Sequence, residues 1–147
     1  MVASIVARVA AHSDLEGLAK ASTIPVINAL SDSFHPLQAL ADMLTIQETL
    51  GLEDKLKVAW VGDSSNVFYD LAFACKLYGI DIAIATPKGY EPLGSFQDQF
   101  KALAGAGTLS CTFSPEDAVK GANIIVTDTW YVNCSCLPET LSLTCMC

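Results

Sequence analysis

The chain has 147 residues, is 52% hydrophobic and carries a formal charge of −8, which is enough for one respectable core or parts of two. Its 8 lysines and arginines are too few for a nucleic-acid surface, which draws on clustered basic side chains to meet phosphates. No apolar run reaches the roughly 18 residues that cross a bilayer, and the start lacks the basic region of a secretory leader, so a small-molecule partner is the expectation.

Residues 2–9, VASIVARV, are β-branched and read as a buried strand ending near Arg8. A guanidinium is too costly to bury alone, so Arg8 is expected in water or against an anion. Residues 13–21 form a short helix, with Ser13 as its cap and Glu16 completing a capping box. Residues 24–28 are the next strand, giving a parallel crossover unit. The polar loop NALSDSF then runs into His35-Pro36. Proline at a first helical position marks a helix start, and Leu37, Leu40, Ala41 and Leu44 fall on one face of that helix. His35 and Gln38 therefore stand at its mouth, where unpaired N–H groups and about half a positive charge favour an anion. Taken alone, the two residues read more simply as a helix cap and a solvent-facing amide.

Gly51 and a charged EDK turn separate this helix from residues 56–62, LKVAWVG, a nearly continuous apolar run typical of a central parallel strand. A second domain is expected to start here. Residues 67–78 give a helix with Phe68, Leu71, Ala72, Cys75 and Leu77 as its apolar positions, ended by Gly79. A strand at 80–85, the turn TPKGYEP, a helix through 96–104 and a strand at 109–113 follow. A short helix at 114–120, capped by Ser114 with Pro115 at its start, leads to a last strand at 123–127. Alternating strands and helices predict an α/β fold with a doubly wound parallel sheet.

Ligands of such sheets sit beyond the carboxyl ends of the strands. Asn66 and Asp128 stand at two of those ends, and an amide beside a carboxylate suits a zwitterionic or cationic amino acid. In isolation each reads as a turn former. The turn GDSSN lacks the three-glycine spacing of a dinucleotide site, and no cofactor is expected. Of 6 cysteines, Cys134, Cys136, Cys145 and Cys147 crowd the end as C-x-C pairs. That spacing is not the C-x₂-C of structural zinc, so no metal is expected, nor a disulfide framework.

PVINALSD followed by HPLQALADMLTIQE resembles the ornithine carbamoyltransferase family, whose HPxQ segment begins the helix bridging its two domains. The likeness continues through IVARVAAHSDLEGLAKAST, WVGDSSN, ATPKGYEP and TDTW, spanning about Val2 to Trp130. It implies that residues 1–36 end a carbamoyl-phosphate domain, 37–51 are the interdomain helix and 52–132 are part of an ornithine-binding domain. By the same resemblance Arg8, His35 and Gln38 contact carbamoyl phosphate, with Arg8 and His35 catalytic, while Asn66 and Asp128 bind ornithine. Lys88 is a possible phosphate ligand that reads more simply as a surface-loop residue. The family further implies citrulline and phosphate as products and a homotrimer, in the mitochondrial matrix of a eukaryote or otherwise in the cytoplasm. DTW and GDxxN favour ornithine over aspartate, while an amine such as putrescine stays open because the discriminating loop is missing.

The likeness has gaps. No Ser-x-Arg-Thr phosphate loop occurs, and Asp128-Thr129-Trp130 continues into Tyr131-Val132-Asn133-Cys134 instead of Ser-Met-Gly. The family's later His-Cys-Leu-Pro is matched only by the letters of Cys136-Leu137-Pro138. Residues 133–147 read as a disordered tail outside the family, and the break after Trp130 motivates the hypothesis that 131–147 are intron-derived or off-frame. The chain alone is expected to have little or no activity. The alternatives are an aspartate or other amine carbamoyltransferase, or a non-catalytic product that binds full-length subunits.

Overall fold

The computed structural model describes residues 2–52 and 55–128. The tail and its four cysteines lie outside the described residues.

The first part of the chain is one parallel crossover. Strand β1 (Ile5–Arg8) leads into helix α1 (His12–Ala21) and strand β2 (Val26–Leu30), and the two strands pair in parallel with a register shift between Ala7 and Arg8. The expected Ser13 capping box is not formed. Helix α1 starts one residue earlier, its N-cap is Ala11, and no side chain of that residue caps it. The first helical amide, His12 N–H, instead donates to Asp32 Oδ1 at 3.0 Å. Glu16 meets Lys20 at 3.8 Å. A carboxylate from a distant loop has taken the place of the local cap.

Helix α2 (Pro36–Leu50) carries Pro36 at its first position and His35 as N-cap, as the sequence implies. Its buried face differs from the expected one. Ala39, Met43 and Ile46 face inward, while Leu37, Leu40 and Leu44 are 39, 61 and 54% exposed. The helix is apolar on two faces, and its packing against the next helix turns Ala39, Met43 and Ile46 inward.

Strand β3 (Lys57–Val61) begins the larger sheet. Helix α3 (Asn66–Tyr78), strand β4 (Asp81–Ala85), helix α4 (Gly94–Ala102), strand β5 (Leu109–Thr112), helix α5 (Pro115–Val119) and strand β6 (Ile124–Val126) complete the described chain. The four strands lie in the parallel order β5-β4-β3-β6. Alternation along β4 divides the two faces: Ile82 and Ile84 belong to the main core with Phe68, Leu71, Cys75, Phe96 and Phe100, whereas Ala83 and Ala85 pack with Ala118 of α5. Small residues on the second face let α5 approach closely. Helices thus cover both faces, as expected of a doubly wound sheet.

Helix α3 buries Phe68, Leu71, Ala72 and Cys75. Leu77, expected with them, is 59% exposed. Gly79 closes the helix with φ 73°, a left-handed conformation that glycine adopts without strain. Farther on, a Cβ at Gly107 would press against the backbone carbonyls of Ile80 and Cys75, so the turn before β5 seats directly on the end of α3. Helix α5 is capped as expected, Ser114 Oγ accepting from Asp117 N–H at 3.1 Å. Trp60 is fully buried, and its indole N–H donates to the carbonyl of Asp63 at 2.9 Å.

Candidate functional site

The segment between β2 and α2 is held by hydrogen bonds rather than by apolar packing. Ser31 is fully buried. Its hydroxyl lies 3.0 Å from His12 Nδ1 and accepts from Phe34 N–H at 3.2 Å, while its own N–H donates to the carbonyl of Phe34 at 2.9 Å. The His12 ring meets Phe34 edge-on with centroids 5.0 Å apart. A buried serine with its groups satisfied in this way fixes the backbone that precedes His35.

Helix α3 holds the same segment from the other side. Asn66 donates its side-chain amide to the carbonyl of Ser31 at 2.6 Å, and its Oδ1 accepts from Val67 N–H at 3.0 Å. One turn along, Asp70 accepts a short hydrogen bond from the backbone N–H of His35. Asp70 is therefore the anion at the mouth of α2, the place where a helix terminus favours one. Burial raises its carboxyl pKa, opposed by the hydrogen bond from the His35 amide and by the electrostatic pull of His35 and His12.

The predicted carbamoyl-phosphate residues share this neighbourhood but are not hydrogen-bonded to one another. Arg8 ends β1 with its side chain exposed, opposite Leu30 in the strand register. His35 is half-buried, and its Nδ1 is buried with no hydrogen-bond partner. Gln38 is exposed and reaches along α2 to donate to Asp42 Oδ1 at 2.8 Å. The Asp42 carboxyl pKa is raised by burial, against the pull of Gln38 and His35. Turning Gln38 toward the helix mouth requires giving up that bond.

The predicted amino-acid residues follow β3 and β6, the two strands between which the strand order of the sheet reverses, but their side chains face different partners. Asp128 follows β6, and Ser65 Oγ, at the cap of α3, donates to its Oδ2 at 3.4 Å. Asn66 is the next residue. A cavity of about 460 Å³ opens at the carboxyl edge, lined by Asp63, Thr86, Tyr90, Phe113 and Asp128 among others. Asn66 does not line it, since its amide faces Ser31, nor do Arg8, His35 or Gln38. Lys88 is exposed in the TPKGYEP loop, with its ammonium 6.0 Å from the Phe113 ring centroid.

His12, Ser31 and Asp70 were not singled out by sequence. Ser31 and Asp32 in one polar loop and His12 at the start of a separate helix give only a weak signal of mutual capping, and Asp70 on a helix face gives none.

Residues 1–48 match the family model for the aspartate/ornithine carbamoyltransferase carbamoyl-P binding domain, and residues 54–135 match that for the Asp/Orn binding domain. The chain belongs to the aspartate/ornithine carbamoyltransferase family. A mitochondrial ornithine carbamoyltransferase of Aspergillus terreus is 54% identical over 144 residues, covering 88% of this chain and 40% of that relative. The crystal structure of the Coccidioides immitis mitochondrial enzyme is 50% identical with a TM-score of 0.81, covering 88% of this chain and 44% of its own. The Thermus thermophilus ornithine carbamoyltransferase structure is 43% identical with a TM-score of 0.78, covering 89% of this chain and 43% of its own. The chain thus spans about 40% of the length of the curated carbamoyltransferases it matches.

Proposed function

We propose that this chain contributes substrate-binding elements of an ornithine carbamoyltransferase, transferring the carbamoyl group of carbamoyl phosphate to the δ-amine of ornithine. The observation that carries the reading is the Asn66–Ser31 hydrogen bond, 2.6 Å long. It draws the amino-acid side of the molecule, at the mouth of α3, against the loop that presents His35.

In the proposed reaction the δ-nitrogen of ornithine attacks the carbamoyl carbon and a C–N bond forms. The C–O bond to phosphorus breaks, phosphate leaves with the electron pair, and the amine gives up a proton, leaving citrulline. Negative charge grows on the carbonyl oxygen, so Arg8 and His35 are assigned to stabilise it and Gln38 to orient the carbamoyl amide. Each such donor is worth about 3 kcal/mol of transition-state stabilisation. Asn66 and Asp128 are assigned to ornithine. The Ser31 bond uses one of the two N–H groups of the Asn66 amide, which leaves the other for a carboxylate.

Because the chain spans well under half of its relatives, a chimera tests the proposal. Residues 2–128 replace the matching segment of the Coccidioides immitis enzyme, and citrulline formation is assayed. Activity within about tenfold of the parent, lost on Arg8→Ala or His35→Ala by a factor of about 100 or more, is expected. A folded but inactive chimera sinks the proposal. A homotrimer is also proposed and is read from sedimentation of the same chimera. The compartment we propose is the mitochondrial matrix, in keeping with the names of the fungal relatives.

A further inference from the structure

Asn66 and Asp70 stand one turn apart on α3 and grip the two ends of the segment joining β2 to α2. Asn66 holds the carbonyl of Ser31 and Asp70 holds the amide of His35. The grip on His35 matters because the ring does not anchor itself. An imidazole is ordinarily oriented by a hydrogen bond to one of its nitrogens, yet His35 Nδ1 is buried without one. Orientation must then come from the backbone that bears the ring. The backbone amide of that residue is tied to a carboxylate on the element that also carries Asn66.

We infer that Asp70 is a positioning residue for His35, fixing the imidazole at the mouth of α2 from the amino-acid-binding side of the molecule. This rests on the assignment of His35 to carbamoyl phosphate. The two halves of the reaction site are joined through one turn of α3, so a shift of α3 on amino-acid binding is transmitted to His35 without an intervening loop. The charged groups facing Asp70 are His35 at the cap of α2 and His12 on α1, and Asp42 of α2 faces His35 as well.

The test uses the 147-residue chain, labelled with ¹⁵N and ¹³C, as wild type, Asp70→Ala and Asp70→Asn. Asparagine keeps an acceptor for the His35 amide and removes the charge. In the wild type the His35 amide proton moves with pH as the Asp70 carboxyl ionises. Asp70→Asn abolishes that movement and leaves the ring resonances near their original positions, whereas Asp70→Ala displaces both. Carbamoyl phosphate affinity, measured by calorimetry, falls about tenfold in Asp70→Ala and is largely restored in Asp70→Asn. Unchanged His35 ring resonances in Asp70→Ala overturn the inference. If Asp70→Ala does not fold, a His35 amide whose pH-dependent movement in Asp70→Asn is the same as in the wild type overturns it. Displaced His35 resonances establish the positioning role whether or not the isolated chain binds carbamoyl phosphate, and the function proposed above stands or falls with the chimera.

Discussion

The side-chain amide of Asn66 lies 2.6 Å from the carbonyl oxygen of Ser31, and this bond ties the helix after β3 to the loop after β2. Because Ser31 is fully buried, its carbonyl has no water to fall back on. Asn66→Ala is expected to destabilise the chain by about 1–3 kcal/mol, the cost of an unsatisfied buried acceptor. Urea denaturation measures it. A midpoint unchanged from wild type would show that the tie contributes nothing.

The two half-buried aspartates set a pH dependence. Burial raises the Asp42 and Asp70 carboxyl pKa values above 3.8, so the folded state holds their protons more tightly than the unfolded chain does. Their contribution to stability is fully present below the unfolded value and is lost as pH rises through the raised, folded values. Asp42→Asn is therefore expected to flatten the stability profile between acid and neutral pH and to stabilise the chain at pH 7. Denaturation at a series of pH values is the measurement, and a variant less stable than wild type at neutral pH contradicts it.

Cys75 is buried against the sheet with its thiol pushed up to about 12, by burial first and by the Asp42 charge second. It is expected to stay unlabelled by a maleimide at neutral pH until the chain unfolds, because the thiolate is the reactive form. Cys111, free and exposed, labels in the native state. Peptide mapping by mass spectrometry after timed labelling separates the two. Equal labelling of Cys75 and Cys111 in the folded chain would refute the expectation.

Gly107→Ala drives a methyl into the carbonyls of Ile80 and Cys75. The backbone must shift, and a loss of about 3 kcal/mol is expected. Gly17→Ala meets nothing nearby and serves as control, gaining stability in a helix interior. Thermal melting of both variants decides it.

The strands, the helices and their order are legible in the sequence because each rests on a local signal. Pro36 fixes the start of α2, Gly79 the end of α3, Ser114 the cap of α5, and continuous apolar runs mark β3 and β4. What failed depends on distant partners. Ser13 looks like a cap because its neighbours fit a capping box, but Asp32, far along the chain, supplies the acceptor. Leu37, Leu40 and Leu44 look like the inner face of α2 because leucines outweigh alanine and methionine in any periodicity. Packing against α3 turns Ala39, Met43 and Ile46 inward. In the site, Arg8 at a strand end and His35 at a helix cap are local facts, whereas the hold of Asp70 on His35 and of Ser65 on Asp128 joins residues that no spacing relates.

Trp60 is sealed from solvent, with its indole N–H on the carbonyl of Asp63, in the loop that leads through Ser65 to Asn66 at the start of α3. The molecule thereby contains its own optical reporter. In a Trp130→Phe variant, which leaves one tryptophan in the chain, blue-shifted emission from Trp60 signals an intact loop, and a change in its lifetime registers a ligand that disturbs Asp63, with no dye attached.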